Sequence, residues 1–154
     1  MKRIRNVILS ILVVCITSGC FLLENENLMV CEYQPLKDYL DYEVYYSDDE
    51  ITKVKIITVM NYKDLSKKEL EEKKDDWKKI IKSYNEEDGI DAEIQVDLAI
   101  ITTTVQVNID KYDAIKDPLQ VFNLTFEEKD FESVESFRKK VQDNYFKCDQ
   151  LVEN

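Results

Sequence analysis

Histidine is absent from this 154-residue chain, and glycine and proline occur only twice each. Without histidine there is no Ser-His-Asp or Cys-His mechanism, and the commonest transition-metal ligand is missing. Glycine-rich phosphate loops are excluded too, because they need residues free to adopt unusual backbone conformations. Basic residues are scarce as well: 21 Lys plus Arg stand against 32 Asp plus Glu, a net charge of −11. That charge repels phosphate backbones, so nucleic acid is not an expected partner. Zinc held by four thiolates would need more free cysteines than the chain retains once its N-terminus is processed. No cofactor motif is left, and none is expected.

What is present begins with an address. Lys2, Arg3 and Arg5 form a basic head, Val7 to Ile16 is an apolar run, and Thr17-Ser18-Gly19 leads into Cys20. Small residues ahead of a cysteine, after such a run, have the form of a secretory signal whose cleavage leaves Cys20 as the mature N-terminus. The pattern resembles a bacterial lipoprotein signal, which implies acylation of Cys20. Two other readings stand beside it. The uncharged stretch from Asn6 to Leu23 is just long enough to span a bilayer, although Ser10, Thr17, Ser18 and Gly19 dilute it. An unlipidated signal peptide is the other, but it gives no reason for a cysteine directly after Ser-Gly. With positive charge before the run and Glu24 and Glu26 after it, the spanning and lipoprotein readings alike put the rest outside the cytoplasm.

The chain therefore divides into a signal over 1–19, a lipidated N-terminus and short tether over 20–28, and one domain over 29–154. Loss of the signal removes three basic and no acidic residues, taking the net charge to −14. Such a surface disfavours adhesion to anionic lipid and leaves the acyl chains as the membrane attachment. The remaining 135 residues suit one core of ordinary size, and nine Tyr, six Phe and Trp77 argue against disorder.

Local patterns predict an α+β domain: an antiparallel sheet of about five strands with two amphipathic helices packed on one face. Tyr42, Val44 and Tyr46 alternate with Glu43 and Tyr45, Ser47-Asp48-Asp49-Glu50 reads as a turn, and Ile51 to Tyr62 supplies the returning strand. Ser66-Lys67-Lys68-Glu69 is a capping box that starts a helix running to about Asn85, with Leu70, Trp77, Ile81 and Tyr84 as its buried stripe. Ile94, Val96 and Leu98, then Thr103, Val105, Val107 and Ile109, give a second hairpin. Phe122, Leu124 and Phe126 suggest a further strand. A last helix from about Ser133 to Phe146 would bury Val134, Phe137, Val141 and Tyr145.

This order of elements resembles the YehR-like family of small bacterial lipoproteins. The likeness is carried by Tyr42–Tyr46, Ile51–Met60, the Ser66–Asn85 helix, the Ala92–Ile109 strand pair and Tyr145-Phe146-Lys147. It implies a membrane-anchored protein and brings no catalytic residue with it.

Chemical motifs are weak. Ser136-Phe137-Arg138-Lys139 matches S-x-x-K, but no K-T-G element accompanies it, and the two residues fall one turn apart on a surface helix. An EF-hand register with Gly89 as its sixth residue would start on Tyr84 and end on Gln95, neither of which is a carboxylate. Asp48-Asp49-Glu50 reads as a solvated turn, and no metal site is assigned. Cys31 and Cys148 remain once Cys15 and Cys20 are accounted for. Two leftover thiols in an exported chain suggest a disulfide, with a pair of buried reduced cysteines as the alternative.

The sequence-level reading is thus a lipid-anchored protein on the extracytoplasmic face of the cell membrane, non-enzymatic, binding an envelope protein partner. Glu43, Tyr45, Lys53, Lys55, Thr102, Thr104 and Gln106 should line the sheet face away from the helices, with Tyr45 and Thr104 as candidate contact residues. The rivals are capture of a small ligand or cation for a membrane complex, and a carboxylate-dependent envelope hydrolase.

Overall fold

The computed structural model describes residues 26–34, 38–111 and 124–151. Its strands are β1 (Asn27–Tyr33), β2 (Tyr39–Ser47), β3 (Glu50–Asn61), β4 (Ile90–Asp97), β5 (Ile100–Asn108) and β6 (Lys147–Leu151); its helices are α1 (Lys67–Tyr84) and α2 (Val134–Gln142). They form one sheet of six strands, not five, in the order β4-β5-β3-β2-β1-β6, and every neighbouring pair is antiparallel. The signal, Cys20 and most of the tether lie outside the described residues. β1 begins at Asn27, inside the stretch read as tether. No helix among the described residues is long and apolar enough to cross a membrane.

The β2–β3 hairpin turns on Asp48 and Asp49, whose φ angles are 49° and 77°. Two successive positive φ values match the right-handed twist of the flanking strands, and Asp tolerates that conformation better than most residues. Asp49 also reaches away from its own hairpin: its carboxylate Oδ1 accepts the Val134 N–H at 3.1 Å, at the start of α2. Ser66 and Glu69 form the expected capping box, with Ser66 N–H donating to Glu69 at 2.9 Å and Glu69 N–H to Ser66 Oγ at 3.4 Å.

One sheet face makes the core. Met29, Cys31, Leu40, Tyr42, Val44, Val54, Ile56, Ile101, Val105 and Val107 are all buried there, joined by Trp77 and Ile81 of α1 and by Val134, Phe137 and Val141 of α2. Trp77 keeps its indole N–H satisfied by donating to the Tyr62 hydroxyl at 3.0 Å.

Three expectations are corrected. The last helix ends at Gln142, and Tyr145 is exposed with φ 71° while Phe146 is buried. Phe146 N–H donates to Val141 C=O and Tyr145 N–H to Gln142 C=O, a Schellman-type closure that reverses the chain into β6. Leu98 is 86% exposed at the β4–β5 turn with φ 52°, so it does not continue the buried alternation of that strand. Phe122 lies outside the described residues; Leu124 and Phe126 are buried, but among the described residues only an isolated bridge at Thr125 lies between them, not a strand.

Cys31 and Cys148 are disulfide-bonded and sit directly opposite each other in the β1–β6 register. The thiols left over by sequence arithmetic are therefore paired, across the sheet's edge.

Candidate interaction surface

Residues opposite each other in an antiparallel sheet share a face. The register therefore defines the rows of the second face. Val30, Glu43, Lys55, Gln106 and Asp91 form one row, and Glu32, Asp41, Ile57, Thr104 and Glu93 the next. Tyr39, Val59, Thr102 and Gln95 lie on one side of them; Tyr45, Lys53 and Asn108 lie on the other. Both described helices send their buried residues into the opposite face, so among the described residues no helix covers this one.

The polar groups in the middle are linked. Lys55 Nζ and Tyr45 OH both donate to Glu43 Oε2 at 3.0 Å. Lys53 Nζ stands 3.9 Å from the centre of the Tyr45 ring and pairs with Glu26 at 3.5 Å. Burial, with help from the Glu43 acceptor, pushes the Tyr45 hydroxyl up to about 12, so at physiological pH it remains a donor.

Asp41 is the unusual member. It is only 6% exposed, Tyr39 OH donates to its Oδ2, and its Oδ1 is buried without a hydrogen-bond partner. Burial raises the Asp41 carboxyl above its ordinary range, the Tyr39 hydrogen bond opposes this, and the neighbouring Glu32 and Glu43 charges add to the rise. A raised folded-state value means the folded chain holds this proton more readily than the unfolded chain. The stability this contributes is present below the unfolded value, about 4, and is lost as pH rises through the folded value. Asp41→Asn, which removes the buried charge, is expected to raise the melting temperature at pH 7. The gap should close as pH falls toward 4, and melts recorded across that range check it.

Of the residues singled out in the sequence, Tyr45 and Thr104 do share this face. They are not neighbours: β3 lies between them, and Thr104 is in the Asp41 row, two rows from Tyr45. Tyr39 and Asp41 were missed. Their signal was the continuation of the Glu43–Tyr45 alternation back through positions 41 and 39. Ser136 and Lys139 line a shallow cleft of about 460 Å³ with Lys129, Asp130, Glu132, Lys140 and Asp143. They are not coupled there: Ser136 Oγ accepts from Ser133 Oγ at 3.0 Å, while Lys139 donates to Asp143 at 3.2 Å. Among the described residues no three acidic or cysteine side chains converge on a metal position.

A six-stranded antiparallel sheet with two helices feeding one core defines an α+β domain of the YehR-like fold. Two structures solved by NMR share it. Escherichia coli YehR superposes with a TM-score of 0.66 at 14% identity, covering 86% of this chain and 97% of that one. A protein from Streptococcus pneumoniae TIGR4 does so with a TM-score of 0.50 at 11% identity, covering 88% and 94%. At such identities the likeness is one of fold. No protein-family model matches the chain, and no curated protein sequence matches it.

Proposed function

We propose that this chain is a membrane-anchored extracytoplasmic lipoprotein that acts as a non-enzymatic binding module, with the uncovered sheet face as its contact surface. The observation that carries the contact surface is the row structure of that face. Half-buried tyrosines and threonines stand among paired charges over the apolar Val30, Ile57 and Val59, without a helix above them among the described residues. Polar surface with aromatic anchors suits a reversible protein contact. Anchoring rests on Thr17-Ser18-Gly19-Cys20 after the apolar run.

The test has two arms. Cys20→Ala should release the domain from membranes or leave an uncleaved precursor; a mature N-terminus elsewhere, without lipid by intact mass, would refute the anchor. Replacing Tyr45 and Thr104 together with Ala should leave the fold intact, because neither belongs to the core. In-cell crosslinking should then lose the partners recovered with the parent; the same partners at the same yield would refute the surface.

A second reading, capture of a small cation, is favoured by the unpartnered Asp41 Oδ1 between Glu32 and Glu43. Calorimetric titration with a primary amine or a divalent cation should then give heat that Asp41→Asn abolishes. Equal heats from both proteins would remove this reading.

A further inference from the structure

The sheet has two edges, and its β4 edge is only half closed. Asn108 N–H donates to Gly89 C=O at 2.8 Å, so in this register Asp91, Glu93, Gln95 and Asp97 turn their backbone groups toward β5. Ile90, Ala92, Ile94 and Val96 turn theirs outward. The first half of that edge is blocked. Ile90 N–H donates to Glu87 C=O at 3.3 Å. The Asn85 side chain grips Ala92 from both sides, donating to its C=O at 2.8 Å and accepting its N–H at 2.7 Å, as a neighbouring strand would. Beyond Ala92 the blocking stops. Among the described residues nothing meets the outward N–H and C=O groups of Ile94 and Val96.

The side chains beside this open edge carry one sign. Asp91, Glu93 and Asp97 stand on the face away from the helices, and none forms an ion pair among the described residues. Val96, 36% exposed, and Leu98, 86% exposed, add apolar surface at the strand's end. Edges left open in this way invite an added strand, and acidic side chains alternating along one decide which strand it can be. A second copy is disfavoured, since antiparallel self-pairing centred on Gln95 would put Glu93 opposite Asp97 of the other copy, like charges in direct contact.

We propose that the β4 edge from Ile94 to Asp97 docks an extended segment of a partner protein in which lysine or arginine alternates with apolar residues, added as a seventh strand. The partner's backbone pairs with Ile94 and Val96, and its cations lie across from Glu93 and Asp97. This goes beyond the uncovered-face reading, because it rests on backbone groups of a different strand and stands if Tyr45 and Thr104 prove irrelevant.

The test titrates the isotope-labelled full chain with a blocked peptide of four Lys-Val repeats, followed by amide NMR. Two control peptides carry Glu for Lys, or methyl groups on every second backbone nitrogen. Shifts and slowed exchange should centre on Ile94 to Asp97, and both controls should bind at least tenfold more weakly. Val96→Pro should abolish binding, since it removes an outward N–H and leaves the β5 ladder intact. Glu93→Gln with Asp97→Asn should weaken binding severalfold and reduce its salt dependence. Shifts centred elsewhere, no binding at millimolar peptide, or unchanged binding of the methylated peptide would overturn the proposal. So would self-association of the chain through this edge without peptide, which would make the occupant a second copy.

Discussion

Phe137→Ala should cost about 3–5 kcal/mol of folding stability, the usual range for deleting a buried aromatic ring. Phe137 is fully buried at the junction of α2 and the sheet. Its ring stacks on Phe126 with centroids 5.0 Å apart and interplanar angle 7°, meets Tyr42 edge-on at 5.7 Å, and touches Phe131 at 5.7 Å. Tyr42 in turn meets Phe146 at 5.2 Å, so this one ring connects α2, the segment before it and the centre of the sheet. A domain of this size has roughly 5–15 kcal/mol in total, so the variant should lose a substantial share of its stability. Urea unfolding should show a lower midpoint with an unchanged slope. Tyr145→Ala is the matched control, because Tyr145 is 84% exposed and should shift stability by no more than about 0.5 kcal/mol. Equal losses from the two variants would mean that the helix extends through Tyr145 and that the described core is wrong.

Cys148→Ser should cost as much, about 5 kcal/mol in the chain-entropy account of a long closed loop. The bridge joins residues 117 positions apart and so constrains most of the unfolded domain. It also acts locally. β6 is an edge strand of five residues whose only sheet neighbour among the described residues is β1, and Cys148 lies directly opposite Cys31. Without the bridge, β6 is held by its ladder with β1 and its packing against the end of α2. Amide exchange at Lys147–Leu151 should therefore quicken more than exchange in β3 or β5. Thiol alkylation of the denatured, unreduced parent should label neither Cys31 nor Cys148. Labelling of both would refute the bridge, and a uniform change in exchange would refute its local role.

Patterns shorter than about twenty residues were legible in the sequence. The Asp48–Asp49 turn, the capping box at Ser66 and the alternation of Thr103, Val105 and Val107 each describe a structure whose partners are close in the chain. α1 and both hairpins follow from them. The α+β class follows as well, because those elements already require a sheet and a helix to share a core. Of the candidate surface, Glu43, Tyr45, Lys53, Lys55, Thr102, Thr104 and Gln106 were assigned to the correct face by period-two alternation alone.

What escaped depends on contacts distant in sequence. β1 carries no clear alternation, because it runs between β2 and β6 and packs apolar side chains such as Val30 and Met29 on both faces. β6 has no pattern of its own and is a strand because β1 offers it a ladder and a cysteine. The spacing from Val141 to Tyr145 fits a helix, yet Phe146 fills the core beside Tyr33 and Tyr42 and leaves Tyr145 outside. Asp41 is set apart by its burial and by Glu32, which β1 places opposite it from a distant part of the chain. The capping of Ala92 by Asn85 could not be read from composition either. Local periodicity determined which segments are strands or helices and which way most side chains face. Tertiary structure decided the strand order, the closed and open edges and the buried carboxylate, because those depend on which distant surfaces can close together over a single core.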